Sequence, residues 1–371
     1  MVKRVYTFGE GTKEMKALLG GKGANLSEMT NLGLNVPPGF TVTTSTCKEF
    51  FEAKGEFPEG LWEEVLEHVA RLEENTGKRF GDPETPLLVS VRSGAPVSMP
   101  GMMDTVLNLG LNDGAAKVLV KLTGDEWFVY DSYRRFITMF GNVVMRAERE
   151  KFDAVHEAEK EIEGVKGDTE ISVDGLKRTV EGMKVVYEKE VGAPFPTAPH
   201  EQLKLAIAAV FNSWNIPRAV TYRKAEGISD EMGTACNIQT MVFGNMGWDS
   251  GSGVLFTRDP GNGEKGLFGE LLFNAQGEDV VAGIRTPIKL ADLNKEHPQH
   301  YEALEDIAEK MEAHYTDMQD MEFTIEKGVL YILQTRTGKR TARAHIKIAV
   351  DMATEGLIDK ETAIMRMTPD N

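Results

Sequence analysis

The chain has 371 residues, of which 41% are hydrophobic and 27% are charged, so it is long enough for two or three domains with packed cores. Its 42 basic and 58 acidic residues give a net charge of −16, which argues against a protein that coats nucleic acid. No apolar run approaches the roughly 20 residues that span a membrane, and the first residues lack the apolar stretch of a signal peptide. Two cysteines exclude a disulfide framework, so we expect a cytoplasmic protein.

The first third of the chain mixes strand and helix signals. Strands are predicted over 2–8, 40–43, 87–91 and 106–111, and helices over 24–32, 44–54 and 61–77. A glycine turn over 20–23 precedes the first helix, and the apolar run over 87–91 places Arg92 at the end of a buried strand.

Between about 113 and 190 the strand signals fade, and charged amphipathic stretches indicate an inserted helical subdomain. Helices are predicted over 127–145, 154–164, 174–191 and 200–214, with another that starts at Pro217. In the last third, strands are predicted over 237–244, 253–257, 269–274, 321–325 and 329–335, a helix over 300–314, and two short helices after Thr341. The expected fold class is therefore α+β.

The glycine turn Gly20-Gly21-Lys22-Gly23 is the first candidate for an anion site. Backbone N–H groups at the start of a helix favour anions, glycines let a phosphate approach closely, and Lys22 adds a positive charge. The pattern is not a Walker A motif, because the spacing from glycine to Gly-Lys-Ser/Thr is absent. The alternative is a structural glycine turn with a solvated lysine.

Arg92 and the loop that follows it form the second candidate. An arginine held by a strand, just before Gly94, suits bidentate recognition of a phosphate, although it could instead pair with a carboxylate. The loop over 98–105 contains Pro100, Gly101 and three methionines. Such a loop could cover a ligand, or its methionines could pack into the core, and the sequence favours the core.

The third candidate is a predicted hairpin that carries Asp320 and Glu322. The two carboxylates lie two residues apart on a strand and therefore face the same side. Gln334 and Arg336 are expected on the same face of the partner strand. Two carboxylates beside an amide and an arginine suit Mg²⁺ that bridges to phosphate oxygens. The alternative is an ordinary solvent-exposed face.

A three-residue loop, 326–328, with glycine in the left-handed position is a standard hairpin connection. It predicts a register with Ile325 opposite Val329, Glu322 opposite Ile332 and Asp320 opposite Gln334, and with Arg336 one pleat further on.

Together, six segments of the chain resemble the N-terminal nucleotide-binding domain of the pyruvate phosphate dikinases. The most specific is LLVSVRSGAPVSMPGMMDTVLNLGLN at 87–112. The others are LLGGKGANLSEM at 18–29, YDSYRRFI at 130–137, IQTMVFGN at 238–245, FNAQGEDVVAGIRTP at 273–287 and DMQDMEFTIEKGVLYILQTRTGKR at 317–340. The resemblance implies an ATP-grasp-type fold of two lobes with ATP between them.

The resemblance also implies roles for particular residues. Lys22 and Arg92 match the phosphate-binding pair, Asp320 and Glu322 match the carboxylates that handle Mg²⁺, and Gln334 and Arg336 match polar contacts beside them. The segment from Gln239 through Met241 matches the one whose backbone meets the adenine. Gly101 lies in the loop that covers the phosphates, and Glu278 in a motif of the second lobe. Lys22, Arg92 and Arg336 would supply the positive charge for phosphoryl transfer, around a single triphosphate.

The family reaction converts ATP, phosphate and pyruvate to AMP, pyrophosphate and phosphoenolpyruvate, through a phosphorylated histidine on a separate domain. The resemblance implies that this domain and the C-terminal barrel are absent, so we expect an ATP-binding monomer that cannot turn over alone, from an enzyme that is a homodimer. The expected domains are a first lobe over 1–111 and 198–242, a helical insert over 112–197, a second lobe over 243–340 and a helical linker over 341–371. The alternatives are another ATP-grasp enzyme, such as a phosphoenolpyruvate synthase or an antibiotic phosphotransferase, and a non-catalytic nucleotide-binding module.

Overall fold

The computed structural model describes residues 3–82, 84–283 and 285–367. It divides into two compact units, unit 1 from residues 1–31 and 38–241 and unit 2 from residues 32–37 and 242–371. Each unit has one five-stranded antiparallel sheet and several helices, which confirms the predicted α+β class. None of the helices in these ranges combines the length and the apolar character needed to cross a membrane. The five domain segments predicted from the sequence, 1–111, 112–197, 198–242, 243–340 and 341–371, stay predictions.

The sheet of unit 1 has the order β1-β2-β5-β3-β4, so β5 occupies its centre. Its strands are β1 Val5–Thr7, β2 Gly39–Val42, β3 Val89–Gly94, β4 Thr105–Leu109 and β5 Ala235–Thr240. Arg92 does not end its strand as predicted, because Ser93 and Gly94 continue to pair with β5. β5 in turn stops four residues earlier than predicted, at Thr240. The residue at which the first strand was predicted to begin, Val2, lies outside the described residues.

Nine helices of unit 1 lie within the described residues. They are α1 Lys16–Asn31, α2 Thr44–Glu52, α3 Leu61–Thr76, α4 Asp113–Thr123, α5 Glu126–Met139, α6 Arg149–Glu163, α7 Val173–Val191, α8 Pro199–Ser213 and α9 Pro217–Ala225. A π-helical turn, Phe140–Val144, continues α5. The predicted stretch of helices after residue 112 is confirmed by α4 to α7, and Pro217 occupies the first turn of α9 as predicted. The aromatic residues Phe136, Phe140, Tyr187 and Phe195 pack edge to face and form the core of these helices.

The sheet of unit 2 has the order β10-β9-β6-β7-β8. Its strands are β6 Gly251–Arg258, β7 Lys265–Phe273, β8 Ile288–Lys289, β9 Gln319–Glu326 and β10 Val329–Thr337. Its helices are α10 Gly277–Ala282, α11 Leu290–Glu296, α12 Pro298–Tyr315, α13 Ala342–Thr354 and α14 Lys360–Met365. The last four residues of the predicted linker lie outside the described residues. Residues 32–37 cover the edge strand β10, because the Ile332 N–H donates a hydrogen bond to the Asn35 carbonyl at 3.0 Å.

A fully buried arginine, Arg258, ties the end of β6 to two helices. Its guanidinium forms two hydrogen bonds to the Glu312 carboxylate of α12, at 2.8 and 2.9 Å. It also donates to Glu355, the residue that follows α13, at 2.9 and 3.1 Å. These bonds satisfy a charge that would be costly to bury alone, and they fix α12 and α13 to the sheet.

The predicted hairpin register is wrong. Glu326 pairs with Val329, so the turn has only two residues, Lys327 and Gly328, both with positive φ (47° and 77°), which is typical of a type I′ turn. A β-bulge at Leu333 then shifts the pairing by one residue. Glu322 therefore lies opposite Gln334 and not Ile332. Likewise, Asp320 lies opposite Arg336 and not Gln334.

Candidate functional site

The glycine turn of unit 1 lies directly against the end of β3. Gly20 has a φ of 69° and a ψ of 167°, a conformation open essentially to glycine alone, and it interrupts α1. The predicted turn over 20–23 is confined to Gly20, because residues 21–23 already belong to the helix that was predicted to begin at Ala24. A Cβ at this position would lie 1.8 Å from the Gly94 carbonyl oxygen. The Gly21 N–H donates a hydrogen bond to the Ala95 carbonyl at 2.9 Å. The turn can therefore approach the strand only because its first residue is glycine.

This approach brings Lys22 close to the strand that carries Arg92. A Cβ built on Gly94 would lie 3.2 Å from the Lys22 Cβ. Gly94 follows Arg92 by two residues on the same face of β3, a spacing of about 7 Å. Both side chains are half-buried. Two long cationic side chains thus start from neighbouring positions on one face, an arrangement that can bind an oligophosphate.

Asn237 was missed by the sequence reasoning, although it braces these two elements. It is fully buried on β5, where its side-chain oxygen accepts from the Thr41 hydroxyl at 2.9 Å and its Nδ2 donates to the Arg92 carbonyl at 3.3 Å. A Cβ on Gly94 would lie 2.7 Å from the same Nδ2. An asparagine between two apolar residues, Cys236 and Ile238, was the sequence signal, and its partners lie far away in the chain.

The loop after β3 has a buried start and an exposed tip. The Met102 N–H donates to the Met99 carbonyl at 3.2 Å, and Gly101 has a φ of 71°, so Pro100 and Gly101 form the corner of a type II turn. Met99 is buried against Trp214, as the core interpretation of these methionines predicts. Gly101 is exposed, with no atom within 4 Å of a Cβ built on it.

The segment expected to meet adenine lies at the end of the central strand. Gln239 is buried, and its carbonyl accepts a hydrogen bond from the Ser90 hydroxyl at 3.3 Å. The N–H of Met241 donates to the Leu88 carbonyl at 2.9 Å. In unit 2, the N–H of Phe243 donates to the Glu326 carboxylate at 2.6 Å. These N–H groups are therefore already engaged, and a ligand that contacts the backbone of this segment must use other groups.

The carboxylates of unit 2 lie on one face of the β9–β10 pair, as predicted. Arg336 Nε lies 2.6 Å from Asp320 Oδ2, and Gln334 Nε2 donates to Glu322 Oε1 at 3.1 Å. Burial raises the pKa of the Asp320 carboxyl, and the Glu322 charge adds to the rise, whereas Arg336 lowers it. Asp320 is therefore a nearly buried carboxylate whose charge is incompletely compensated, and it would gain from a cation.

The donor atoms on this face fit Mg²⁺. Two carboxylates and the Gln334 amide offer hard oxygen ligands, and Mg²⁺ in nucleotide sites is held by one or two carboxylates together with phosphate oxygens. A group of three or more acidic, histidine or cysteine side chains that could enclose a metal is absent from the described parts of the chain. Asp320 and Glu322 are thus suited to a metal that arrives with a phosphate ligand, not to a metal enclosed by protein.

Glu278 lies in the first turn of α10, a helix that packs against β6 and β7. It is half-buried. The adjacent Gln276 donates a hydrogen bond to the buried Asn245 at 2.8 Å, which holds the start of α10 to the loop before β6.

Comparison with known proteins gives one consistent family. The model of the pyruvate phosphate dikinase AMP/ATP-binding domain matches residues 16–55, 53–295 and 289–357. The chain is 54% identical over 371 residues to pyruvate, phosphate dikinase 1, chloroplastic, of Oryza sativa subsp. japonica, covering 99% of this chain and 39% of that protein. It is 53% identical over 368 residues to pyruvate, phosphate dikinase of Clostridium symbiosum, covering 99% and 42%. The Rhizobium meliloti enzyme of the same name is 53% identical over 385 residues, covering 100% and 43%. The chain thus spans about two fifths of the length of these relatives.

Proposed function

Since this chain belongs to the pyruvate phosphate dikinase AMP/ATP-binding domain family and has its ATP-grasp-type α+β fold, we propose that it binds ATP together with Mg²⁺. Lys22 and Arg92 contact the phosphates of the nucleotide. Asp320 and Glu322 hold the metal, with Gln334 and Arg336 beside them. Glu278, Gln239, Met241 and Gly101 are the further proposed nucleotide contacts.

The observation that carries this proposal is the pairing on β9 and β10. Asp320 and Glu322 each face a polar partner across the hairpin, and the residue that follows each of them on β9, Met321 and Phe323, is buried. The strand thus presents both carboxylates on one side while Met321 and Phe323 anchor it from the other. Burial raises the pKa of the Asp320 carboxyl, and buried carboxylates with shifted pKa values are concentrated at functional sites, which supports a metal site over an ordinary exposed face.

The chain's own residues would act by holding positive charges in place beside the phosphates. Phosphoryl transfer depends mainly on positioning and on electrostatic stabilisation of the transferring group. Lys22 and Arg92 start from a rigid turn and a central part of the sheet, so their positive charges need little reorganisation. Asp320 and Glu322 would hold Mg²⁺, which would supply positive charge beside the phosphates.

We further propose that the longer protein of which such a domain is part carries out the pyruvate phosphate dikinase reaction. This domain would accept ATP and phosphate and release AMP and pyrophosphate, while a phosphohistidine domain carries the phosphoryl group to pyruvate. Four expectations stay predictions: that this chain alone does not turn over, that it is a monomer, that the longer enzyme is a homodimer, and that the protein is cytoplasmic. The rice relative is named as chloroplastic.

Calorimetric titration of the 371-residue chain with ATP, with Mg²⁺ or with EDTA, tests the proposal. We expect saturable binding that is tighter with Mg²⁺. Lys22→Ala should weaken binding under both conditions, because it removes a contact to phosphate. Glu322→Gln should weaken binding with Mg²⁺ and change it little in EDTA. Absence of binding heat from the unmodified chain under both conditions would contradict the proposal.

A further inference from the structure

The exposed loop over 95–104 ends on a buried carboxylate, Asp104, whose side chain is only 3% exposed. Two arginines from distant parts of unit 1 meet it. Arg218 of α9 lies 2.6 Å from Oδ1, and Arg146, just after the π-helical turn, lies 2.9 Å from Oδ2. Each carboxylate oxygen thus has its own cationic partner.

The same groups also hold the backbone on both sides of Asp104. Arg218 Nε donates to the Met102 carbonyl at 3.2 Å, inside the loop. The Asp104 carbonyl accepts from the Ser93 N–H at 3.3 Å, next to Arg92 on β3. Asp104 therefore fixes the end of the loop to α9, to the segment after the π-helical turn, which carries Arg146, and to β3, which carries Arg92.

The start of the loop is fixed to the glycine turn. Ala95 accepts the hydrogen bond from Gly21, and a Cβ on Gly21 would lie 3.6 Å from the Pro96 carbonyl oxygen. Both ends of the loop are therefore held, whereas no atom lies within 4 Å of a Cβ built on Gly101 at its tip. Arg146 itself has a φ of 61°, an uncommon conformation for a residue that is not glycine.

We propose that Asp104 is a positioning residue for nucleotide binding. Through Arg146 and Arg218 it holds the loop over 95–104 in one place beside Lys22 and Arg92. We call these contacts of Asp104 with Arg146 and Arg218 the Asp104 clamp. The inference rests on the proposed function for its ligand, but the effect of the Asp104 clamp on the loop can be measured without any ligand.

Asp104→Asn removes the charge that both arginines share and keeps the size of the side chain. We expect amide exchange in residues 96–103 of the ligand-free chain to become about tenfold faster, and the Kd for MgATP to rise about tenfold, which corresponds to about 1.4 kcal/mol. Asp131→Asn is the matched control, because Asp131 is equally buried between two arginines, Arg134 at 2.6 Å and Arg135 at 2.9 Å, outside this loop. It should lower the Tm similarly but leave loop exchange and the Kd unchanged.

If Asp104→Asn does not fold, Arg146→Gln replaces it, because Arg146 is 44% exposed and its loss leaves the core intact. Its expected effects have the same direction and are smaller. An unchanged rate of amide exchange in residues 96–103 of the tested variant would show that Asp104 does not hold the loop. Faster exchange with an unchanged Kd would overturn the positioning role. If the unmodified chain binds no MgATP, the proposed function fails and the positioning role fails with it, whereas the exchange result still decides whether the clamp exists.

Discussion

Replacing Asp320 by asparagine should have opposite effects on stability without ligand and with MgATP. In the ligand-free chain, Asp320 is a nearly buried carboxylate with a raised pKa, which means that its ionised form destabilises the fold at neutral pH. Its ion-pair partner Arg336 is 42% exposed and keeps water contact when the carboxylate is removed. Asp320→Asn should therefore raise the free energy of unfolding by about 1 kcal/mol, a size common for single stabilising substitutions.

With MgATP present the order should reverse. A ligand at 100 times its Kd stabilises the unmodified chain by about 2.7 kcal/mol. The variant loses a metal ligand and should gain only a small part of this. Differential scanning calorimetry, run in EDTA and in MgATP, measures both effects. The expected shift is about 2 °C upward in EDTA for the variant, and a Tm below that of the unmodified chain at saturating MgATP.

Asp317→Asn is a suitable control for this experiment. Asp317 lies three residues earlier and pairs with Arg340 at 2.7 and 3.2 Å, so its loss breaks a partly buried ion pair outside the proposed site. It should lower the Tm under both conditions and leave the MgATP-induced increase unchanged. If Asp320→Asn behaved in the same way, the assignment of Asp320 to the metal would be wrong.

The pH dependence has a definite sign. Because the pKa of Asp320 is raised on folding, the folded chain binds this proton more tightly than the unfolded chain. Stability is therefore lost as the pH rises through the folded-state pKa, and the loss is complete above it. The advantage of Asp320→Asn in EDTA should be full at pH 7 and should shrink as the pH falls toward the ordinary aspartate value of about 3.9. An advantage that grew on acidification would refute this reasoning.

Gly20→Ala places a methyl group 1.8 Å from a backbone oxygen, whereas Gly101→Ala meets no atom within 4 Å, although both residues have positive φ. Urea unfolding should show a loss of about 3 kcal/mol or more for the first and about 1 kcal/mol for the second, and equal losses would contradict the close approach of the turn. Arg258→Ala should cost about 3–5 kcal/mol in the same assay, because it leaves a buried carboxylate unpaired; a loss below 1 kcal/mol would show that water or another cation replaces it. His156, whose Nε2 lies 3.3 Å from Asp168 Oδ1, and Lys160, which donates to the same oxygen, lower the pKa of Asp168. The stability that Asp168 contributes is therefore present above about pH 3.9 and is lost as the pH falls below it. Asp168→Asn should therefore be less stable at pH 6, and the gap should narrow steadily as the pH falls below about 3.9. A gap of the same size at pH 6 and at pH 2 would argue against the ion pair.

Local sequence patterns determined most of the secondary structure. Helical periodicity located α3, α7 and α12 to within a few residues. Apolar residues at this spacing lie on one side of a helix, where they can be buried together. The glycine break at Gly20 was also visible in the sequence, because so few residues adopt its conformation. The amphipathic spacing of residues after position 112 likewise predicted a run of helices.

The hairpin shows where local reasoning stops. The sequence determined that Asp320, Glu322, Gln334 and Arg336 share a face, because side chains alternate along a strand with a period of two. It did not determine which residues lie opposite each other, since a shorter turn and a bulge at Leu333 together moved the register by two residues. A shift of two preserves the face and changes every partner, so Asp320 faces an arginine and not an amide.

The residues that brace unit 1 were decided by tertiary structure alone. Asn237 bonds to Thr41, 196 positions away, and Asp104 to Arg218, 114 positions away. A buried polar group must find a partner wherever the fold provides one, and no local pattern encodes a partner at such a distance. The sequence thus determined which residues can carry charge and which faces they occupy, whereas the packing of the strands and of the loop over 95–104 decided which of them meet.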